Sequence, residues 1–106
     1  MDLVIKVNDQ FSHCPGGRFA SAGEHSAEEF RENILLPAFR DDKYERIIVN
    51  LDGTAGFAAS FLEEAFGGLA RVVGKKEIGE RLFIISNETP RYAEEAWQDI
   101  KSVEKE

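Results

Sequence analysis

The sequence predicts a small α/β sandwich, a mixed but mainly parallel sheet of about four strands carrying three helices. Three observations lead there. Short apolar, β-branched runs of strand length occur at residues 3–7, 47–51 and 82–85. Longer stretches between and after them repeat apolar residues at helical spacing. Strand and helix then alternate, an order that requires parallel strands joined by right-handed crossovers.

Leu3-Val4-Ile5-Lys6-Val7 is the first strand. Residues 8–23 follow, rich in Gly, Ser and Pro, and within them Arg18-Phe19-Ala20 is expected to add a short strand, paired as a hairpin with the first. Ser26 stands three residues before Glu29, the capping-box spacing, and opens the first helix. Phe30, Ile34 and Ala38 form its apolar face, with Leu35 and Phe39 beside it, and Pro37 is expected to kink it. Ile47-Ile48-Val49-Asn50-Leu51 is the most apolar strand and therefore central to the sheet. After the turn at residues 52–56, Ser60 and Glu63 repeat the capping-box spacing. They open a second helix whose apolar stripe is Phe61, Leu62, Ala65, Phe66, Leu69, Val72 and Val73. Gly74 is placed to end it in a left-handed conformation, with Lys75 and Lys76 near the negative end of the helix dipole. Leu82-Phe83-Ile84-Ile85 is a further buried strand. Thr89 or Asn87 caps the last helix, with Pro90 at its first position. Ala93, Ala96, Trp97 and Ile100 face inward there, and residues 101–106 are expected to fray.

At 106 residues the chain is expected to fold as one domain, 1–106. Apolar residues at 42% and charged residues at 31% are globular proportions. With 20 acidic against 13 basic side chains the net charge is −7, which argues against direct nucleic-acid binding, because that affinity comes from Lys and Arg releasing counterions. Cys14 is the only cysteine, so no disulfide forms within the chain, and a reducing compartment is expected. The first residues lack the basic region and apolar run of a signal peptide, and no apolar stretch approaches the ~20 residues that span a bilayer. A soluble, cytoplasmic protein without membrane contact is the expectation.

Few residues suggest chemistry. His13 and Cys14 are adjacent, yet neighbouring side chains rarely face each other and no third orienting group is evident, so Cys14 reads as an incidental loop thiol. Pro15-Gly16-Gly17-Arg18 resembles an anion-binding turn, in which Gly16 and Gly17 would bring backbone N–H groups to a ligand and Arg18 would fork onto it; a simple hairpin turn is the plainer reading. His25 reads as a solvated loop residue. The pairs Glu28-Glu29, Glu63-Glu64 and Glu94-Glu95 fall on helices and read as solvated faces. Metal-ligand spacings are absent, and neither a cofactor nor a catalytic residue is expected. Ser60 stands apart, as a helix cap worth about 1 kcal/mol and an accessible hydroxyl where a phosphate would gain from the helix dipole.

The segment from Ile47 through Leu62 and the order of elements resemble the STAS domain of bacterial anti-sigma-factor antagonists. Phe30-Arg31, Leu35-Leu36-Pro37 and the run Ser60-Phe61-Leu62-Glu63-Glu64-Ala65-Phe66-Gly67-Gly68-Leu69 resemble, more closely, the prokaryotic STAS-like family of unknown function. In antagonist STAS domains a strand leads into an Asp-Ser-Ser-Gly motif whose second serine is phosphorylated by a partner kinase of the ATPase type. That serine falls on Ser60; the motif's Asp, first Ser and Gly are replaced by Ala58, Ala59 and Phe61. The resemblance implies a non-enzymatic regulatory module that docks another protein, an ATPase, kinase or other regulator, around Ser60, with phosphorylation as a switch. Phe57, Ala58, Ala59, Ser60, Phe61 and Glu64 are the expected contacts, and Phe57 and Phe61 the candidate aromatic anchors, with core packing as their other reading. The alternative is a nucleotide- or anion-binding domain using Gly16, Gly17 and Arg18.

Overall fold

The three apolar runs pair side by side. In the computed structural model, which describes residues 1–104, strands β1 (Asp2–Lys6), β2 (Arg46–Asn50) and β3 (Leu82–Ile85) form one sheet in the order β1-β2-β3. Both pairings are parallel, with Ile5 opposite Val49 and Val49 opposite Ile84. β2 lies in the centre, as its apolar sequence predicts.

Helices fill the connections. A single turn α1 (Val7–Gln10) follows β1, and α2 spans residues 27–39. α3 spans residues 59–73, α4 is Lys75–Arg81 and α5 is Pro90–Lys101. Both long central helices contain a wide π-helical stretch, Arg31–Leu35 in α2 and Glu63–Gly67 in α3. In α2 that stretch ends shortly before Pro37, whose ring removes one amide donor, and the helix runs on to Phe39. Ser26 opens α2 as expected, its hydroxyl accepting the Glu29 amide at 3.1 Å.

Alternation along the strands divides the sheet into two faces. Ile5, Ile47, Val49 and Leu82 are buried and share one core with Phe30, Leu35, Phe61, Leu62, Phe66 and Leu69. On the opposite face Val4 is 43% and Phe83 46% exposed, so β3 is buried on one side only.

Three expectations are corrected. Arg18-Phe19-Ala20 forms no strand, because the carbonyls of Gly17 and Arg18 accept the amides of Ala27 and Glu28 at the start of α2; the sheet therefore has three strands. Gly74 does adopt a positive φ of 101°, but α4 begins at once, a helix with no readable stripe because Ile78 is its one buried residue. Val72 is 43% exposed and lies outside the apolar stripe assigned to α3. At the chain end α5 holds through Lys101, and Lys105 and Glu106, part of the stretch expected to fray, lie outside the described residues.

Candidate functional site

The loop that leaves β2 is built from short polar links to all its neighbours. Asn50 Oδ1 accepts the Asp52 amide at 2.9 Å, and Thr54 Oγ1 donates to the Leu51 carbonyl at 3.2 Å. Asp52 and Glu88 are joined reciprocally: Asp52 Oδ1 accepts the Glu88 amide at 2.9 Å, and Glu88 Oε1 accepts the Gly53 amide at 2.6 Å. The Ala55 amide donates to the His13 carbonyl at 2.7 Å, tying the loop to the segment after β1. Gly56 sits at φ 136°, and a Cβ there would stand 2.9 Å from the Tyr92 hydroxyl of α5, so only glycine fits. The cavity enclosed by Asp52, Thr54, Gly56, Ser86, Glu88 and Tyr92 is about 50 Å³, room for water and little else.

Beyond Gly56 the chain turns its aromatic residues inward. Phe57 is 8% exposed and packs edge-on against Tyr92 at 5.3 Å, while Phe61 is fully buried between Phe57, Phe30 and Phe11. Neither is a surface anchor; both belong to the core. What the loop presents outward is Ala58 and Ala59, exposed, and Ser60, half-buried. Ser60 does not cap α3. The helix starts at Ala59, and the Ala58 carbonyl accepts the amides of Phe61 and Leu62 at 3.0 and 3.2 Å, so Ser60 is the second helical residue.

Glu63 and Glu64 are likewise not a solvated pair. Arg31 Nη1 bonds Glu64 Oε2 and reaches the Glu64 carbonyl at 3.1 Å. Arg18 Nη1 bonds Glu63 Oε1 and Glu64 Oε1, the second at 3.1 Å. Arg71 Nη1 completes the cluster on Glu63 Oε2 at 2.8 Å. The bond from Arg71, with Arg18 adding to it, holds the Glu63 carboxyl below the ordinary glutamate range against the opposing effect of burial. Bonds to Glu63 and then Glu64 raise the Arg18 guanidinium further above its usual value. Glu64 thus faces its arginines and is buried from any partner at 9% exposure.

The same cluster occupies Arg18 of the expected anion-binding turn. Arg18 is held by two carboxylates, and the glycine turn serves the protein itself: the Gly16 amide donates to the His25 carbonyl at 2.8 Å, and the Gly17 carbonyl caps α2. A Cβ on Gly16 would lie 2.5 Å from the Glu24 carbonyl oxygen, which accounts for the glycine. His25 is half-buried, its ring edge-on to Phe11 at 5.6 Å, rather than a solvated loop residue. His13 bonds Asn8 Oδ1 through Nδ1 at 2.7 Å, and Cys14 is an exposed free thiol. Among the described residues no group of three His, Cys, Asp or Glu side chains is placed to hold a metal ion, and no helix is long and apolar enough to cross a membrane.

Sequence reasoning missed the arginine cluster because its contacts bridge distant segments: Arg18 and Glu63 are 45 positions apart. The run from Ser60 to Leu69 was the one local signal, since its Glu-Glu pair and its Gly-Gly pair both take part. No curated protein and no solved structure matches the chain. The model of the STAS-like domain of unknown function (DUF4325) matches residues 26–91, from the cap of α2 through β2, α3 and β3 into the first turn of α5. With more than half its length matched and its strands and helices in the expected order, the chain belongs to this STAS-like family.

Proposed function

We propose that the domain is a non-enzymatic regulatory module of the cytoplasm that binds another protein through the loop after β2 and the first turn of α3. One observation carries this reading. Ala58, Ala59 and Ser60 form a surface of small side chains between the buried Phe57 and Phe61, where the Ala58 carbonyl accepts the first amides of α3, directly after a loop held by Asp52, Glu88 and His13. A surface that is ordered before binding loses little conformational entropy when a partner docks, and small side chains let the partner's backbone come close. An ATPase- or kinase-type regulator suits such a face. Ser60 fits the switch in this reading because its side chain is not spent on capping. A phosphate there would add a charge of about −2 in the first turn of α3, changing the docking face and leaving the helix start intact.

Recovery of a partner from native lysate on the tagged domain, followed by titration, tests the proposal. Ala59→Trp and Ser60→Asp are expected to weaken binding at least about tenfold, about 1.4 kcal/mol, with the far-UV circular dichroism unchanged. Binding indifferent to both substitutions overturns it.

A further inference from the structure

We infer that the free edge of β3 is a dimerisation edge, on which β3 pairs antiparallel with β3 of a second copy of this chain. β3 is the last strand of the sheet, hydrogen-bonded to β2 on one side only. The Ile85 carbonyl accepts the Leu51 amide at 2.8 Å, so Ile85, and Phe83 two residues before it, address β2. Ile84 consequently turns both its N–H and its C=O to the open side. The Leu82 amide is already spent on the Ile78 carbonyl at the end of α4.

Monomeric proteins guard such edges with charge, proline or a bulge. The two edges of this sheet differ in that respect. β1 carries Asp2 and Lys6 and is bordered by the ion pair between the Met1 amino group and Glu45. β3 reads Leu-Phe-Ile-Ile and carries no charge, proline or glycine. Beside it runs an open groove of about 550 Å³ walled by Gly79, Ile84, Ile85, Trp97 and the 46%-exposed Phe83. The single charge in that lining, Arg46, is held by Asp2 at 2.7 Å.

Self-pairing is favoured by the strand's own pattern. Around a twofold axis at Ile84, the two copies of this residue exchange both backbone hydrogen bonds. Phe83 then stands opposite Ile85 of the second copy, and Ile85 opposite its Phe83. Opposed side chains share a face, so two aromatic–β-branched pairs form at once, a favourable cross-strand combination. β3 is its own complement. The net charge of −7 on each copy opposes association, so added salt is expected to strengthen the dimer.

Sedimentation equilibrium over a range of protein concentrations, read together with amide hydrogen exchange, tests the inference. A species of twice the 11.9 kDa chain mass is expected, with exchange at the Ile84 amide slowing as concentration rises. Phe83→Lys, at an exposed position, is expected to return the chain to the single mass with its circular dichroism intact. A wild-type chain that stays at the single mass overturns the inference, whether or not another protein's strand occupies the edge. So does a folded Phe83→Lys variant that still dimerises. Exchange at Ile84 that ignores concentration does the same without any substitution.

Discussion

Gly68 and Arg31 compete for the same space: a Cβ on Gly68 would stand 2.6 Å from Arg31 Nη1. Its neighbour Gly67 is similar, with a Cβ placed 2.9 Å from Glu63 Oε2. Two glycines inside a helix each cost about 1 kcal/mol of helix propensity. Here Gly68 clears the flank of α3 so that Arg31 can lie against it and reach both the carboxylate and the carbonyl of Glu64, while Gly67 leaves room for the Glu63 carboxylate and Arg71. Both π-helical stretches meet at this point, one beginning at Arg31 and the other at Glu63. The Arg31 and Glu64 side chains are 13% and 11% exposed, a buried pair whose disruption on one side is expensive.

Gly68→Ala is therefore expected to destabilise the fold by about 1–3 kcal/mol, the loss of the Arg31–Glu64 pair outweighing the gain of about 1 kcal/mol in helix propensity. The guanidinium can swing aside, but only by leaving Glu64. In an Arg31→Ala background the obstacle is gone and the same substitution should stabilise. Urea denaturation of the four proteins in this cycle checks it. A Gly68→Ala effect of the same sign in both backgrounds refutes the coupling.

Arg81 makes a second long-range clamp. Its guanidinium donates to the carbonyls of Phe39 at 2.8 Å, Asp41 at 3.1 Å and Tyr44 at 2.7 Å, and pairs with Glu77 at 2.7 Å. These carbonyls lie at the end of α2 and in the turn beyond it, where helix geometry leaves carbonyls short of amide partners; that of Asp41 also accepts the Tyr44 amide at 3.3 Å. Arg81→Lys keeps the charge but loses the planar fork, and is expected to cost about 2–4 kcal/mol. A midpoint in urea within error of the wild type would show that the fork is dispensable.

Asp99 and Glu63, which line one cleft with Arg71, respond to pH in opposite senses. Burial, then repulsion from Glu63 and Glu95, raises the Asp99 carboxyl above its ordinary value. The folded state therefore holds that proton more tightly than the unfolded chain. This favours folding below the unfolded Asp value of about 3.9 and is lost as pH rises through the folded value. Asp99→Asn should raise Tm at pH 7 by about 2–5 °C, the difference closing in acid. Glu63 is lowered, so its contribution is present above the unfolded Glu value and is lost as pH falls through the folded one. Glu63→Gln should lower Tm at neutral pH and lose its effect in acid. Thermal melts from pH 3 to 8 decide both, and a common sign at neutral pH would be the wrong one.

Local periodicity carried the legible part of the fold. β1, β2 and β3 show as β-branched runs, and Phe30, Leu35 and Phe39 mark α2 because the buried face repeats with the helix. α4 escaped because Ile78 alone gives no period. Phe57 and Phe61 sit where a loop becomes a helix, and only the presence of Tyr92, Phe11 and Phe30 on other elements decides that they are core. The arginines were illegible for the same reason: beyond the local Glu32 and Glu77, Arg18, Arg31 and Arg81 reach partners 33 to 46 positions away. Of the surface assigned around Ser60, Ala58 and Ala59 are exposed, Ser60 is half-buried and Glu64 turns inward.

Ser26 and Ser60 open the same Ser-x-x-Glu spacing and have different fates. Ser26 is fully buried, precedes α2 with extended backbone, and accepts the Glu29 amide through its hydroxyl. Ser60 lies one residue inside α3, where Ala58 already occupies the cap position with extended backbone. The spacing cannot tell these apart, because it does not say which residue leaves the helical conformation. Ser26→Ala is expected to cost about 1–2 kcal/mol, the loss of a buried cap bond, and Ser26→Asp does not rescue it because a carboxylate there would be buried. Ser60→Ala should change stability by less than about 0.5 kcal/mol, as a partly exposed helix position does. Chemical denaturation of the two alanine variants side by side is sufficient. Equal losses would return Ser60 to the role of a cap and remove the feature that frees its hydroxyl for a partner or a phosphate.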